Sequence, residues 1–282
     1  MTTTQEHIVR RSILRRPTAS KVPEVAVVFW VTKALTTGMG ESASDFLVHS
    51  MAPVLAVALG AVAFTGALSI QFWARRYVPW IYWLTVAMVG VFGTMAADVL
   101  HVGFGVPYFA SSAFFALALA LVFILWYRTE GTLSIHSIHT TRREVFYWAA
   151  VMTTFALGTA AGDMTAVTLH LGYLNSGIMF AVVIAIPALA WRLGLNSVLT
   201  FWFAYVVTRP FGASFADWMG VSPERGGLDL GPGPVSLALV VLIIGFVAYL
   251  TVARRRDAAA DQAPSGIEIE NQATAVPARA EP

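Results

Sequence analysis

Residues 29–45 read FWVTKALTTGMGESASD, and the arrangement recurs at 82–98 (YWLTVAMVGVFGTMAAD), 147–163 (YWAAVMTTFALGTAAGD) and 201–217 (FWFAYVVTRPFGASFAD). Each copy is an aromatic residue and Trp, then nine residues, Gly, four residues and Asp. The chain contains only seven Asp, so four Trp that each meet one at the same offset mark an internal repeat. The likeness extends outward. Asp45 to Trp73, Asp98 to Trp126 and Asp163 to Trp191 are equally spaced, and Arg75, Arg128 and Arg192 follow within two positions. The fourth copy has Tyr249 instead, after a longer Gly/Pro-rich connection. Successive copies start 53, 65 and 54 residues apart, which divides the chain into two halves of two units with extra length at 128–144.

Composition sets the environment. Of 282 residues, 57% are hydrophobic, 12% charged and none is Cys, and the mean hydropathy is +0.68. A soluble domain carries about 25% charge, so an ordinary soluble enzyme and a disordered chain are both excluded. Without Cys there is no disulfide framework, thiolate metal site or thiol nucleophile. The net charge of +2 gives no basic surface for nucleic acid, and the expected partners are the lipid bilayer and a small cation or solute, with no cofactor. At about 20 residues per span, the apolar content fills about eight helices. The sequence places them at 24–47, 52–74, 79–101, 106–127, 145–168, 174–193, 196–218 and 234–253. The fold expected is an all-α membrane protein, with eight transmembrane helices built from four parallel two-helix repeats.

Basic residues orient that arrangement. With both termini in the cytoplasm, the inner segments hold Lys21, Arg75, Arg76, Arg128, Arg142, Arg143, Arg192 and Arg254–Arg256 together with the N-terminal Arg residues and Arg279, while Arg225 alone falls outside. The organisation is then a basic cytoplasmic tail (1–22), a first transmembrane half (23–127), a cytoplasmic loop (128–144), a second half (145–253) and a disordered cytoplasmic tail (254–282).

Over residues 21–253, the fourfold two-span unit with its Trp-to-Asp pattern resembles a bacterial family of polytopic membrane proteins known as a repeat of unknown function, also called uncharacterised membrane-anchored proteins. The resemblance implies an eight-helix protein of the bacterial inner membrane. It implies no activity, so the functional case rests on the residues.

A helix rises about 22 Å over fifteen residues, so Trp in the cytoplasmic aromatic belt would set Gly40, Gly93, Gly158 and Gly212 near mid-bilayer and Asp45, Asp98, Asp163 and Asp217 in the outer half. An ionisable group there costs roughly 2.5–3.5 kcal/mol and ordinarily faces a bundle interior or a wet cavity. Two readings compete. Each Asp caps a helix, bonds its own repeat's backbone or sits at a snorkelling depth near the outer interface, or the four converge on a cation or proton site. Glu41 beside Gly40 adds a fifth acid, where the other units have Thr94, Thr159 and Ala213. Lys33 and Arg209 are counter-charges within spans, with Asp217 or Asp98 the expected partner of Arg209, and Pro210 is expected to break or kink its helix. His49, His101 and His170 follow the first three Asp by four, three and seven residues and are candidates for metal binding or proton relay if the helices continue. The Gly-rich stretches serve close helix packing or expose backbone carbonyls to a ligand.

These features point to a transporter of a cation, such as a divalent metal, or of a proton-coupled small solute. The alternative is a membrane partner or sensor in which the Asp are structural. An intramembrane enzyme is disfavoured, because no metalloprotease helix, nucleophile elbow or phosphate loop is present.

Overall fold

The computed structural model describes residues 20–260, and residues 1–19 and 261–282 of the two expected tails lie outside it. Eight long helices follow one another: α1 (Val27–Ser50), α2 (Pro53–Trp73), α3 (Pro79–Asp98), α4 (Tyr108–Glu130), α5 (Thr141–Asp163), α6 (Gly172–Arg192), α7 (Ser197–Gly220) and α8 (Pro232–Ala260). Local chemistry sets several boundaries. Pro53 and Pro79 open α2 and α3, where a missing N–H costs nothing. Thr140 and Asn196 accept from first-turn amides of α5 and α7. Gly131 ends α4 in the left-handed region at φ 69°. Immediately after Asp98 and Asp163, α3 and α5 widen into π-helical turns, Val99–Gly103 and Met164–Thr168. Helix α8 runs through 254–260, residues expected to begin a tail.

The odd-numbered helices carry the Trp-to-Asp motif and form a closed ring, α1 against α3, α3 against α5, α5 against α7 and α7 against α1. The motif glycines are where that ring closes. A Cβ on Gly40 would stand 2.7 Å from the Gly90 backbone, one on Gly93 2.9 Å from Phe155 Cβ, one on Gly158 2.6 Å from Arg209 Cβ and one on Gly212 2.8 Å from the Ala34 carbonyl oxygen. Each unit's glycine therefore receives the next motif helix, and the fourth receives the first. The helices pass unbroken through all four positions and through Pro210. These glycines serve packing, and Pro210 does not break its helix, which runs continuously for 24 residues.

The even-numbered helices stand outside the ring, each docked chiefly on the next unit's motif helix: α2 on α3, α4 on α5, α6 on α7, and α8 back on α1. Their outer faces expose Leu55, Leu59, Phe114, Leu117, Val182, Ile186, Val241 and Leu242, an apolar surface far beyond what a soluble monomer presents. Six helices are long and apolar enough to cross a membrane: α2, α3 with its π turn, α4, α5 with its π turn, α6 and α8. Helices α1 and α7 are long enough but carry Lys33, Glu41 and Asp45, and Arg209 and Asp217, which the ring interior absorbs.

The end of the ring at which the motif helices start is an aromatic plug. Trp83, Trp148 and Trp202 are buried with Phe29, Tyr82, Tyr147 and Tyr205, and Tyr82 and Tyr147 share a hydroxyl–hydroxyl hydrogen bond. The motif Trp expected in a lipid-facing belt are thus buried between helices, with Trp30 half-buried: Trp202 packs on Phe123 and Trp126 of α4, and Trp148 stands beside Phe64, Leu68 and Phe72 of α2. The connection after α4 covers this end through buried Ile135 and Ile138, and Trp202 Nε1 donates to the Leu133 carbonyl at 2.9 Å. Lys21 lies beneath the same loop. Its Nζ meets Glu144 Oε2 at 2.6 Å and the Phe72 carbonyl at 3.2 Å, and Gln71 donates to Glu144 Oε1 at 2.9 Å.

Candidate functional site

Steps of four residues along each motif helix, starting at the aromatic residue before Trp, follow one buried ladder toward the ring interior. In α1 it reads Phe29, Lys33, Thr37, Glu41, Asp45; in α3 Tyr82, Val86, Gly90, Thr94, Asp98; in α5 Tyr147, Val151, Phe155, Thr159, Asp163; and in α7 Phe201, Tyr205, Arg209, Ala213, Asp217. Four residues rise about 6 Å, so the ladders stack into layers that pass from aromatic through polar to acidic.

Arg209 occupies the centre and is fully buried. Its Nη2 reaches Glu41 Oε2 at 2.6 Å and Thr159 Oγ1 at 2.7 Å and also donates to Thr94 Oγ1, while Nη1 donates to the Thr37 carbonyl at 3.3 Å. One guanidinium thus binds the equivalent residue of all three other units. The partner expected was Asp217 or Asp98, and the structure gives Glu41 instead. Glu41, Thr94 and Thr159 lie one layer further along the ladders than Arg209, a step of about 6 Å that the long Arg side chain spans, and the Asp layer lies one step beyond. A buried pair of this kind needs its remaining donors and lone pairs met, and the two Thr hydroxyls and the Thr37 carbonyl do part of that, while Arg209 Nε has no hydrogen-bond partner among the described residues.

Lys33 lies one layer toward the aromatic plug and is 1% exposed. Its Nζ has no hydrogen-bond partner among the described residues and sits 3.7 Å from the Tyr205 ring centroid and 5.0 Å from that of Phe155. The Phe155 ring also faces Arg209, at 5.3 Å, so one ring touches both buried cations.

The four Asp end the ladders. Asp217 is 9% exposed and the other three are half-buried. Among the described residues none of their carboxylates accepts a protein hydrogen bond, so none caps a helix or bonds its own backbone. Asp45 and Asp217 line a cavity of about 290 Å³ between α1 and α7, together with Ser42, His49 and Arg225. Asp98 and Asp163 lie outside this cavity, each at the entry to a π turn.

The three His are scattered. His49 is exposed, with Nδ1 2.6 Å from the Asp45 carbonyl; His101 places Nδ1 2.7 Å from the Val106 carbonyl and stacks on Tyr108; His170 is exposed at φ 55°. The π turns rotate His101 and His170 off the helix faces that a continued α-helix would have given them. Among the described residues no three His, Asp or Glu come together as metal ligands.

The geometry described here repeats four times, and so does a match to one family, described as a Repeat of Unknown Function (DUF347), over residues 28–77, 81–132, 146–193 and 200–256. The chain belongs to this family. Each matched DUF347 segment contains one motif helix and the outer helix that follows it, so the family unit and the structural unit coincide. No curated protein and no solved structure matches the chain.

Two features were not visible as motifs. The Lys21–Glu144–Gln71 cluster joins residues with no shared spacing, and only burial reveals it. Arg225 stood out in sequence as a lone base among outer segments, but its place on the Asp45 and Asp217 cavity depends on the loop after α7.

Proposed function

We propose that this protein is an integral membrane carrier of eight spans that moves a small cation or a proton-coupled small solute along the axis of its motif-helix ring. The observation that carries this reading is the placement of charge. Four carboxylates without protein hydrogen bonds and a buried Arg209–Glu41 pair lie on the inner ladders of a molecule whose outer surface is apolar. Intramembrane ionisable groups that face inward are the mark of ion and proton pathways. One end is sealed by the aromatic plug and the other opens beside Asp45 and Asp217, as in a carrier caught facing one side. The proposed setting is the bacterial inner membrane, with the plugged end and both termini in the cytoplasm, since Lys21, Arg75, Arg76, Arg128, Arg142, Arg143 and Arg192 gather at that end.

The test is flux in proteoliposomes, read with an internal pH dye and by charge movement on a supported membrane. Wild type is expected to move charge or protons, and Asp98→Asn and Asp163→Asn to abolish that signal while eluting as folded protein. Full flux from Asn variants at all four Asp positions would overturn the proposal. A partner or sensor role would appear as loss of stability in the same variants, with no flux in wild type.

A further inference from the structure

We infer that the cavity between α1 and α7 binds a small zwitterion, an amine and a carboxylate on one short organic skeleton. The inference rests on the carrier reading only in taking the Asp end as the solute-binding end. Asp217, nine-tenths buried, has no protein hydrogen bond among the described residues, and Asp45 stands across the same cavity. Ser42 beside them is 3% exposed, and its hydroxyl has no partner. Acids alone would fit any cation. Arg225 changes the chemistry.

Arg225 lines the same cavity and, among the described residues, forms no ion pair. Its Nη2 donates to the Tyr173 hydroxyl, and its guanidinium faces the Tyr173 ring at 5.4 Å. A neutral phenol thus fixes the guanidinium, and most of its five donors remain free. Opposite charges that border one cavity without closing on each other leave a gap with an acidic side and a guanidinium side. A ligand with both charges fits it: ammonium against Asp45 and Asp217, carboxylate on the Arg225 fork. A cavity of about 290 Å³ has room for a small organic ion. A bare metal ion would use the carboxylates alone and an anion the exposed Arg225 alone, whereas a zwitterion uses both.

The experiment is a thermal-shift titration of the purified full-length protein with L-alanine, 4-aminobutyrate, methylammonium, acetate, NaCl and MgCl₂, alongside uptake of the same solutes into proteoliposomes. A zwitterion is expected to raise the melting temperature where methylammonium and acetate do not. Arg225→Gln is expected to weaken zwitterion binding by roughly tenfold or more, as loss of a charged hydrogen bond does, with Arg225→Lys recovering part of it. Asp45→Asn, at the more open of the two acids, checks the ammonium side without relying on the buried Asp217. A shift given equally by methylammonium or Mg²⁺, or a zwitterion shift unchanged in Arg225→Gln, would overturn the inference. Zwitterion binding without uptake supports this site while sinking the carrier reading; uptake of an inorganic cation with no zwitterion shift overturns this site and keeps the carrier.

Discussion

Arg209 and Glu41 lie 168 residues apart in sequence and meet at 2.6 Å in the middle of the ring. The pair joins the fourth unit to the first, and Thr94 and Thr159 bring in the other two. Removing one partner strands the other. Glu41→Gln is expected to destabilise the protein by about 3–5 kcal/mol, because the buried guanidinium keeps its charge and loses its carboxylate. Pairing it with Arg209→Gln is expected to recover much of that loss. Unfolding of the two single variants and the double variant, followed in detergent, gives the coupling, and strictly additive losses would contradict it.

Lys33 presents the opposite balance. Its ammonium is buried against aromatic faces with no acceptor, and a cation–π contact returns about 2 kcal/mol where desolvation costs several. Lys33→Met is therefore expected to raise stability by about 1–4 kcal/mol while lowering flux, as when a site holds strain for function. A melting-temperature series paired with flux measurements decides it, and a destabilised variant would show that Lys33 is an ordinary structural group.

At the ring crossings, Gly40→Ala places a methyl 2.7 Å from the Gly90 backbone, which cannot rotate away. A loss of about 1–3 kcal/mol is expected from overpacking. Gly66 in α2 is the control, since nothing stands within 4 Å of a Cβ there. Gly66→Ala is expected to be neutral or to stabilise by up to about 1 kcal/mol through helix propensity. Thermal melts of the two variants side by side provide the check.

At the plugged end, Lys21→Met leaves the buried Glu144 with Gln71 alone. A loss of about 3–5 kcal/mol is expected. The Lys21 ammonium fixes the backbone whose N–H donates to the Ile138 carbonyl at 3.1 Å, so limited proteolysis of the 131–140 connection is expected to quicken in Lys21→Met and to stay slow in Arg142→Gln, whose partner Glu130 keeps Arg143. Equal cleavage rates would show that Lys21 does not hold the loop.

The repeat and the helices were legible because hydropathy and the Trp-to-Asp spacing are local. Every expected span falls on a helix, with boundaries a few residues apart except at the end of α8, which runs seven residues past the expected 253. The role of the motif Trp was not legible, since a Trp at a helix start reads alike whether it meets lipid or a neighbouring helix, and the ring decides which. The partner of Arg209 was missed for a related reason. Glu41 sits beside the repeat Gly and not at the repeat Asp, and only the packing of the fourth motif helix against the first brings it within reach of the guanidinium. The π turns that displace His101 and His170 leave no composition signal at all.

The docking of α8 on α1 has a consequence for how the chain is made. A ribosome delivers α1 first and α8 last, yet these two helices are neighbours. Throughout synthesis the helix that carries Lys33, Glu41 and Asp45 lacks its outer shield, and its Arg209 partner arrives only with α7. The nascent first units are thus an unfinished circle with its most polar segment uncovered. Any chaperone or insertion machinery that handles this protein must hold that segment until the final helix emerges, and a chain cut short before α8 carries an uncovered face by which quality control can recognise it.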